Sequence, residues 1–222
     1  MRYLGERLHQ AHGFTVHGPL LAGHGSNSEA FEANGWPDWF RSAEEGLRRL
    51  QEACSSLLIV GFSMGGLLAL LLALRHGAGV RGLALLATPL FASGTKARLA
   101  SIAWQWPGVR AWITRRAARL DPERQVLRTD LSPPQASFAQ LKRILRRQAV
   151  CVRNPTLVIH SRRDPSVPWQ NALALSALLG PACRKTLFVN RSGHVLPLDV
   201  DRDLVAEETG AFWVGLVDPL SY

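Results

Sequence analysis

Four short apolar runs, at 57–61, 82–87, 156–160 and 185–189, punctuate the chain, and none of them alternates with polar residues. A strand with one face in water alternates, whereas a strand covered on both faces does not. The runs therefore predict a mostly parallel sheet flanked by helices, an α/β fold, and the intervals between them contain the helical stretches that parallel crossovers require. Directly after the first run, 67–74 is apolar all round, which predicts a buried helix of about two turns, too short to span a bilayer. Upstream, Leu4, Leu8 and Ala11 have helical spacing, and 14–20 reads as a strand leading into Gly23-His24-Gly25. Three further helices are expected between the second and third runs. One covers 96–105 and stops before Pro107, one covers 109–120, and one starts at Ser132 with Pro133 in its first turn. On this reading 1–90 and 153–222 form the two parts of one core, with 91–152 inserted between them. A length of 222 residues and 47% hydrophobic content suit one compact domain. No internal repeat is visible, no run of 18 apolar residues predicts a transmembrane span, and no signal-type apolar segment follows Arg2.

The junction of the first strand and the helix after it carries the clearest chemistry. Gly61-Phe62-Ser63-Met64-Gly65 places a serine on a sharp strand-to-helix turn, with its hydroxyl exposed at the top of the sheet. The flanking glycines are expected because a side chain there would meet the neighbouring strand or helix. A serine hydroxyl is a weak nucleophile until a base takes its proton, so a histidine and an orienting acid are needed. Of seven histidines, His9, His12, His17 and His24 precede the serine and His76 ends the helix after it. His160 closes the third apolar run, four residues before Asp164, and His194 follows the fourth run in the loop Asn190-Arg191-Ser192-Gly193-His194. Strand ends are where an α/β sheet presents its working side chains. His194 is taken as the base and Asp164 as the acid. Asp199 and Asp201 are rival acids, but they look like the start of a closing helix. His160 is expected to be a satisfied histidine at a strand end, and Trp36 and Trp39 to be packing residues at a helix start.

These residues resemble the serine carboxylesterase and monoacylglycerol-lipase-like branch of the α/β-hydrolase family. The resemblance rests on Gly-Phe-Ser-Met-Gly-Gly at 61–66, Gly-His-Gly at 23–25, the Trp36 and Trp39 segment, and 155–160. It continues through the turn from Asp164 to Pro168 and Ser192-Gly193-His194-Val195, so it runs over most of the chain in family order. It implies a triad in the order Ser63, Asp164, His194, an acyl-enzyme, an oxyanion donor at the Met64 backbone N–H, and no metal or organic cofactor. It also implies that 91–152 is a helical cap, with Trp104 and Trp106 as candidate substrate contacts.

One departure from the family pattern stands out. Family members carry an early His-Gly loop whose backbone N–H completes the oxyanion hole. His12-Gly13 lies only eleven residues before Gly23, too close for a helix and strand to intervene, so it is read as a decoy. The chain then begins inside the first family helix, without the opening strands and the second donor. A segment upstream of Met1 is the favoured explanation, a shortened relative the other. Loss of one oxyanion donor typically costs about 100- to 1,000-fold in turnover. The alternative function is accordingly a hydrolase-like protein with little or no catalysis. Thioesterase and acyl-transfer chemistry would use the same triad.

Charge and cysteines add two expectations. The formal net charge is +9, and 96–153 holds 13 Lys and Arg against three acids, so the rest of the chain is close to neutral. Trp104, Trp106 and Trp112 accompany those cations, a combination suited to an acyl pocket under a solvated arginine-rich cap, or to weak contact with an anionic membrane surface. Nucleic acid is not expected, since no recognised binding motif accompanies the charge. Cys54, Cys151 and Cys183 are odd in number and lack paired spacing, which fits a reducing cytoplasm better than a disulfide framework or a zinc site.

Overall fold

The computed structural model describes residues 1–25, 27–91 and 134–217. The expected helices at 96–105 and 109–120, with Trp104, Trp106 and Trp112, lie outside the described residues. Elements follow in the order α1 (Arg2–His12), α2 (Ser28–Glu32), α3 (Trp36–Gln51), β1 (Leu58–Phe62), α4 (Met64–His76), β2 (Gly82–Leu86), α5 (Pro134–Gln148), β3 (Thr156–Ser161), α6 (Gln170–Leu179), β4 (Cys183–Val189) and α7 (Arg202–Val217).

Each of the four apolar runs lies on a strand, and all neighbouring strands are parallel in the order β1-β2-β3-β4. Period-two alternation of side chains divides the central strands between two cores. Leu83, Leu85 and Val158 point into one core with Trp36, Trp39 and Phe40 of α3, Leu67 and Leu70 of α4, Leu145 of α5 and Leu175 of α6. Ala84, Leu86, Leu157 and Ile159 point the other way, onto Leu4 and Leu8 of α1 and Val205 and Trp213 of α7. Burying one such leucine contributes about 1.5–3 kcal/mol relative to exposure. This two-sided demand explains why β2 and β3 contain no outward polar positions.

The α3–α4 contact includes a buried charge. Glu44 is nearly enclosed and accepts from Arg48 at 3.0 Å, with Arg75 and His76 each at 2.9 Å. Trp36 and Trp39 are buried, as expected of packing residues, and the Trp36 backbone N–H donates to Ser137 Oγ on α5 at 2.6 Å.

The 14–20 segment corrects the sequence reading: it forms no strand. It follows Gly13, which ends α1 in a left-handed conformation (φ 69°) with its N–H on His9 O at 2.8 Å. The segment contains Pro19, which has no N–H to give a ladder, and Val16 and Leu20 are exposed. Sheet pairing thus ends at β1. The register of Phe62 opposite Leu86, with Ser63 N–H on Leu86 O at 2.8 Å, turns the backbone groups of Leu58, Val60 and Phe62 to the outer edge. Those groups have no strand partner among the described residues.

Candidate functional site

The strand-to-helix turn after β1 holds Ser63 in a backbone conformation that L-residues rarely adopt, φ 51° and ψ −118°. Conformations of this kind typically cost about 1–3 kcal/mol and persist only where the surroundings enforce them. Here the enforcement is visible. The Ser63 N–H is tied to Leu86 O, while its C=O accepts from Gly66 N–H at 3.0 Å. A Cβ at Gly61 would collide with the Gly65 and Gly66 backbone, and one at Gly66 would collide with Thr88. A Cβ at Gly65 meets nothing among the described residues, so the expectation for the second flanking glycine is corrected: the crowded position is Gly66, where α4 crosses the end of β2.

Two loops bring the partners to this turn. His194 Nε2 lies 3.1 Å from Ser63 Oγ, and His194 Nδ1 lies 2.7 Å from Asp164 Oδ2. Since the carboxylate can only accept, Nδ1 carries the hydrogen and Nε2 offers its lone pair to the serine hydroxyl. The Asp164 side chain is fully buried and that of His194 one-fifth exposed, so the acid is shielded while the base reaches the cleft. Asp164 Oδ1 accepts from the Ser166 and Val167 N–H groups, each at 2.8 Å, which pins the carboxylate within its own turn. The Phe62 ring stands 5.1 Å from the His194 ring.

The rival acids hold the histidine loop instead. Asp201 Oδ2 accepts from Arg191 N–H (3.1 Å), Ser192 N–H (2.9 Å) and Ser192 Oγ (2.9 Å). Asp199 Oδ2 accepts from Gly193 N–H at 2.7 Å, and the Gly193 and Val200 N–H groups hold its carboxyl below the usual range. Ser161 Oγ also donates to Ser192 O, tying β3 to the same loop. Sequence reasoning ranked these acids below Asp164 but missed their bracing role, because the pairing spans a loop whose path spacing does not reveal.

His160 departs from expectation. Its ring is fully buried, Nε2 stands 3.0 Å from Val167 O and 3.4 Å from Asp164 Oδ2, and Nδ1 has no partner among the described residues. It is therefore only half satisfied, and burial lowers its pKa from the ordinary value.

Met64 begins α4, and the first N–H groups of a helix have no intrahelical acceptor, so among the described residues the Met64 N–H beside Ser63 is left free to donate. A cavity of about 1320 Å³ reaches Ser63 and Met64 and is lined by Phe14, Val16, Leu47 and Leu68 together with the outer edge of β1. Trp104 and Trp106 lie outside the described residues. Among the described residues no group of three or more His, Cys, Asp or Glu side chains could hold a metal ion, and no helix is long and apolar enough to cross a membrane.

This arrangement, a strained serine hydroxyl beside a histidine lone pair with a carboxylate behind it, is equipped for nucleophilic attack on an acyl carbon. The sequence model of the alpha/beta hydrolase family matches residues 2–208. A thermostable monoacylglycerol lipase from Bacillus sp. (strain H-257) is 29% identical over 220 residues, covering 96% of this chain and 84% of that protein. A carboxylesterase from Bacillus subtilis (strain 168) is 23% identical over 212 residues, covering 95% and 83%. Among solved structures, one from work on two metagenome-derived lipolytic enzymes, LipS and LipT, superposes with a TM-score of 0.69 at 27% identity, covering 96% of this chain and 86% of that one. The chain belongs to the alpha/beta hydrolase family and is a hydrolase of its esterase and lipase type.

Proposed function

We propose that the chain hydrolyses carboxylic esters of short or medium acyl chains, or monoacylglycerols, with Ser63 as nucleophile, His194 as general base and acid, and Asp164 as the orienting acid. The observation that carries this reading is the continuous hydrogen-bond chain Ser63 Oγ–His194–Asp164. As Ser63 Oγ attacks the ester carbonyl carbon, its proton passes to His194 Nε2. The carbonyl π pair moves onto oxygen, and the oxyanion takes a hydrogen bond from Met64 N–H. Collapse expels the alkoxide, which leaves as the alcohol with the proton from His194. A water then loses its proton to His194 Nε2 and attacks the acyl carbon. The second intermediate releases the carboxylic acid, and Ser63 recovers its proton from His194. Asp164 accepts from Nδ1 throughout and favours the imidazolium that forms twice in the cycle.

The names of the relatives, a monoacylglycerol lipase and a carboxylesterase, support the substrate class. The cap assignment of 91–152 goes with it, between core parts 1–90 and 153–222, and Trp104 and Trp106 are assigned to the acyl pocket. The excess positive charge of the cap supports weak, salt-dependent contact with anionic lipid surfaces. Cys54, Cys151 and Cys183 are all unpaired, which supports a cytoplasmic setting. The test is steady turnover of p-nitrophenyl esters and monoacylglycerols by the parent chain and Ser63→Ala. Turnover abolished by the substitution is expected, and turnover that survives it contradicts the assignment of Ser63.

A further inference from the structure

The proposed reaction leaves one buried polar residue beside the site without a task. His160 ends β3 with its ring sealed from solvent. Its Nε2 faces the Val167 carbonyl at 3.0 Å and, more distantly, Asp164 Oδ2 at 3.4 Å. Both are acceptors, so Nε2 carries the hydrogen. Nδ1 is buried with no partner among the described residues, and a proton placed there would bury an N–H without an acceptor, so the ring stays neutral. Burial is the main cause of its lowered pKa, and the charge of nearby His194 acts in the same direction.

The geometry closes a ring of contacts. The Val167 carbonyl accepts from His160, while the Val167 N–H donates to Asp164 Oδ1. The Asp164 turn is thereby fixed to the end of β3 at its far side as well as its near side. The same turn aims Oδ2 at His194 Nδ1. We propose that His160 is a positioning residue for the Ser63 reaction: its Nε2–H holds the Val167 peptide, and through it the Asp164 carboxylate, in line with His194. Neutrality matters to this role, since a second cation so near Asp164 would compete with the His194 imidazolium for the same oxygen. Without the Nε2 donor, the Val167 carbonyl loses its buried partner and the 164–167 turn can shift. A misplacement of about 1 Å in a reacting array can cost about 100-fold in rate.

The proposal rests on the Ser63–His194–Asp164 reading, so the experiment uses one readout that depends on turnover and one that does not. Variants His160→Gln, His160→Asn and His160→Met are checked for folding by circular dichroism, then assayed for kcat and KM on a p-nitrophenyl ester. The low-field proton resonance of His194 Nδ1–H is recorded in the parent and each variant. Gln reaches the Nε2 position with an amide N–H, Asn falls short of it, and Met fills the space without a donor. The expected result is a 10- to 100-fold lower kcat in His160→Met and His160→Asn, with KM within threefold, and His160→Gln within threefold of the parent (roughly what displacing such an array costs). The His194 resonance is expected to shift or broaden in Met and Asn and to persist in Gln. A folded His160→Met with kcat and resonance unchanged would overturn the proposal. So would equal losses in Gln and Asn, a comparison that still decides if His160→Met does not fold. If the parent shows no Ser63-dependent turnover, the reading of the reaction fails by itself, and the resonance still decides whether His160 positions Asp164 against His194.

Discussion

Asp164→Asn probes the orienting acid with a side chain of the same shape. The carboxylate now uses both oxygens as acceptors: Oδ1 takes Ser166 and Val167 N–H at 2.8 Å each, and Oδ2 takes His194 Nδ1 at 2.7 Å. Asparagine has one oxygen. Turning it toward His194 would face its NH2 at two backbone N–H donors, leaving the Val167 N–H unmet at about 1–3 kcal/mol and the exposed Ser166 N–H without its acceptor. Turning it toward the backbone keeps both of those bonds, so that orientation wins. The NH2 then faces Nδ1, which must become the acceptor, and the hydrogen moves to Nε2, 3.1 Å from Ser63 Oγ. No lone pair remains to take the serine proton. The equivalent tautomer error in a serine protease lowers kcat about 10⁴-fold, which corresponds to about 5 kcal/mol of lost transition-state stabilisation. Substrate contacts are untouched, so KM should move little. The assay is steady-state hydrolysis of a p-nitrophenyl ester by parent, Asp164→Asn and Ser63→Ala, with melting curves to show that the variants fold. A folded Asp164→Asn that retains more than a tenth of parental kcat would refute the tautomer reasoning, since no route would then run through Nδ1–H on Asp164.

Further outcomes follow from the same geometry. Gly61→Ala places a Cβ into the Gly65–Gly66 backbone, and it should prevent folding or lower the melting temperature by several degrees, whereas Gly65→Ala should not; thermal scans of the pair check the contrast. Burial lowers the His160 pKa from 6.5, so below that pH the unfolded chain binds a proton that the folded chain refuses. Stability should therefore fall as pH drops from 6.5 toward the lowered folded value and be flat above it. Urea titrations of parent and His160→Gln should show a shallower decline in the variant, and equal slopes would count against the buried neutral ring. The outward-facing Leu58, Val60 and Phe62 amides of β1 should exchange hydrogen faster than the paired amides of β2, read by hydrogen-exchange mass spectrometry or NMR. Equal protection of the two strands would speak against an open β1 edge.

How much of this was legible beforehand depended on whether a feature was local. The strands of the sheet could be read because burial on both faces removes alternation: β2 is apolar throughout, and β3 is buried at every position. That Ser63, Asp164 and His194 meet could be anticipated because each stands at a strand end or in the turn after one, and chain order restricts the pairings. The 14–20 segment misled because apolar content marks a strand only when a neighbour is there to pair with it. The crowded glycine was misplaced by one position because the collision is with Thr88 on another element, which motif spacing cannot show. His160, Asp199 and Asp201 were recognised as residues but not in their roles. Their partners, Val167 O, Gly193 N–H and the Ser192 backbone, belong to loops whose approach depends on the finished fold.

The central claim is that Ser63 is a nucleophile activated by His194. Its most direct test is to treat the folded 222-residue chain with a fluorophosphonate probe and locate the adduct by peptide mass spectrometry. Such a probe reacts with a serine whose base is engaged and whose surroundings accept developing negative charge. The account predicts modification at Ser63 alone, abolished in Ser63→Ala and strongly slowed in Asp164→Asn. A folded chain that takes up no probe, or takes it up at another residue, would contradict it.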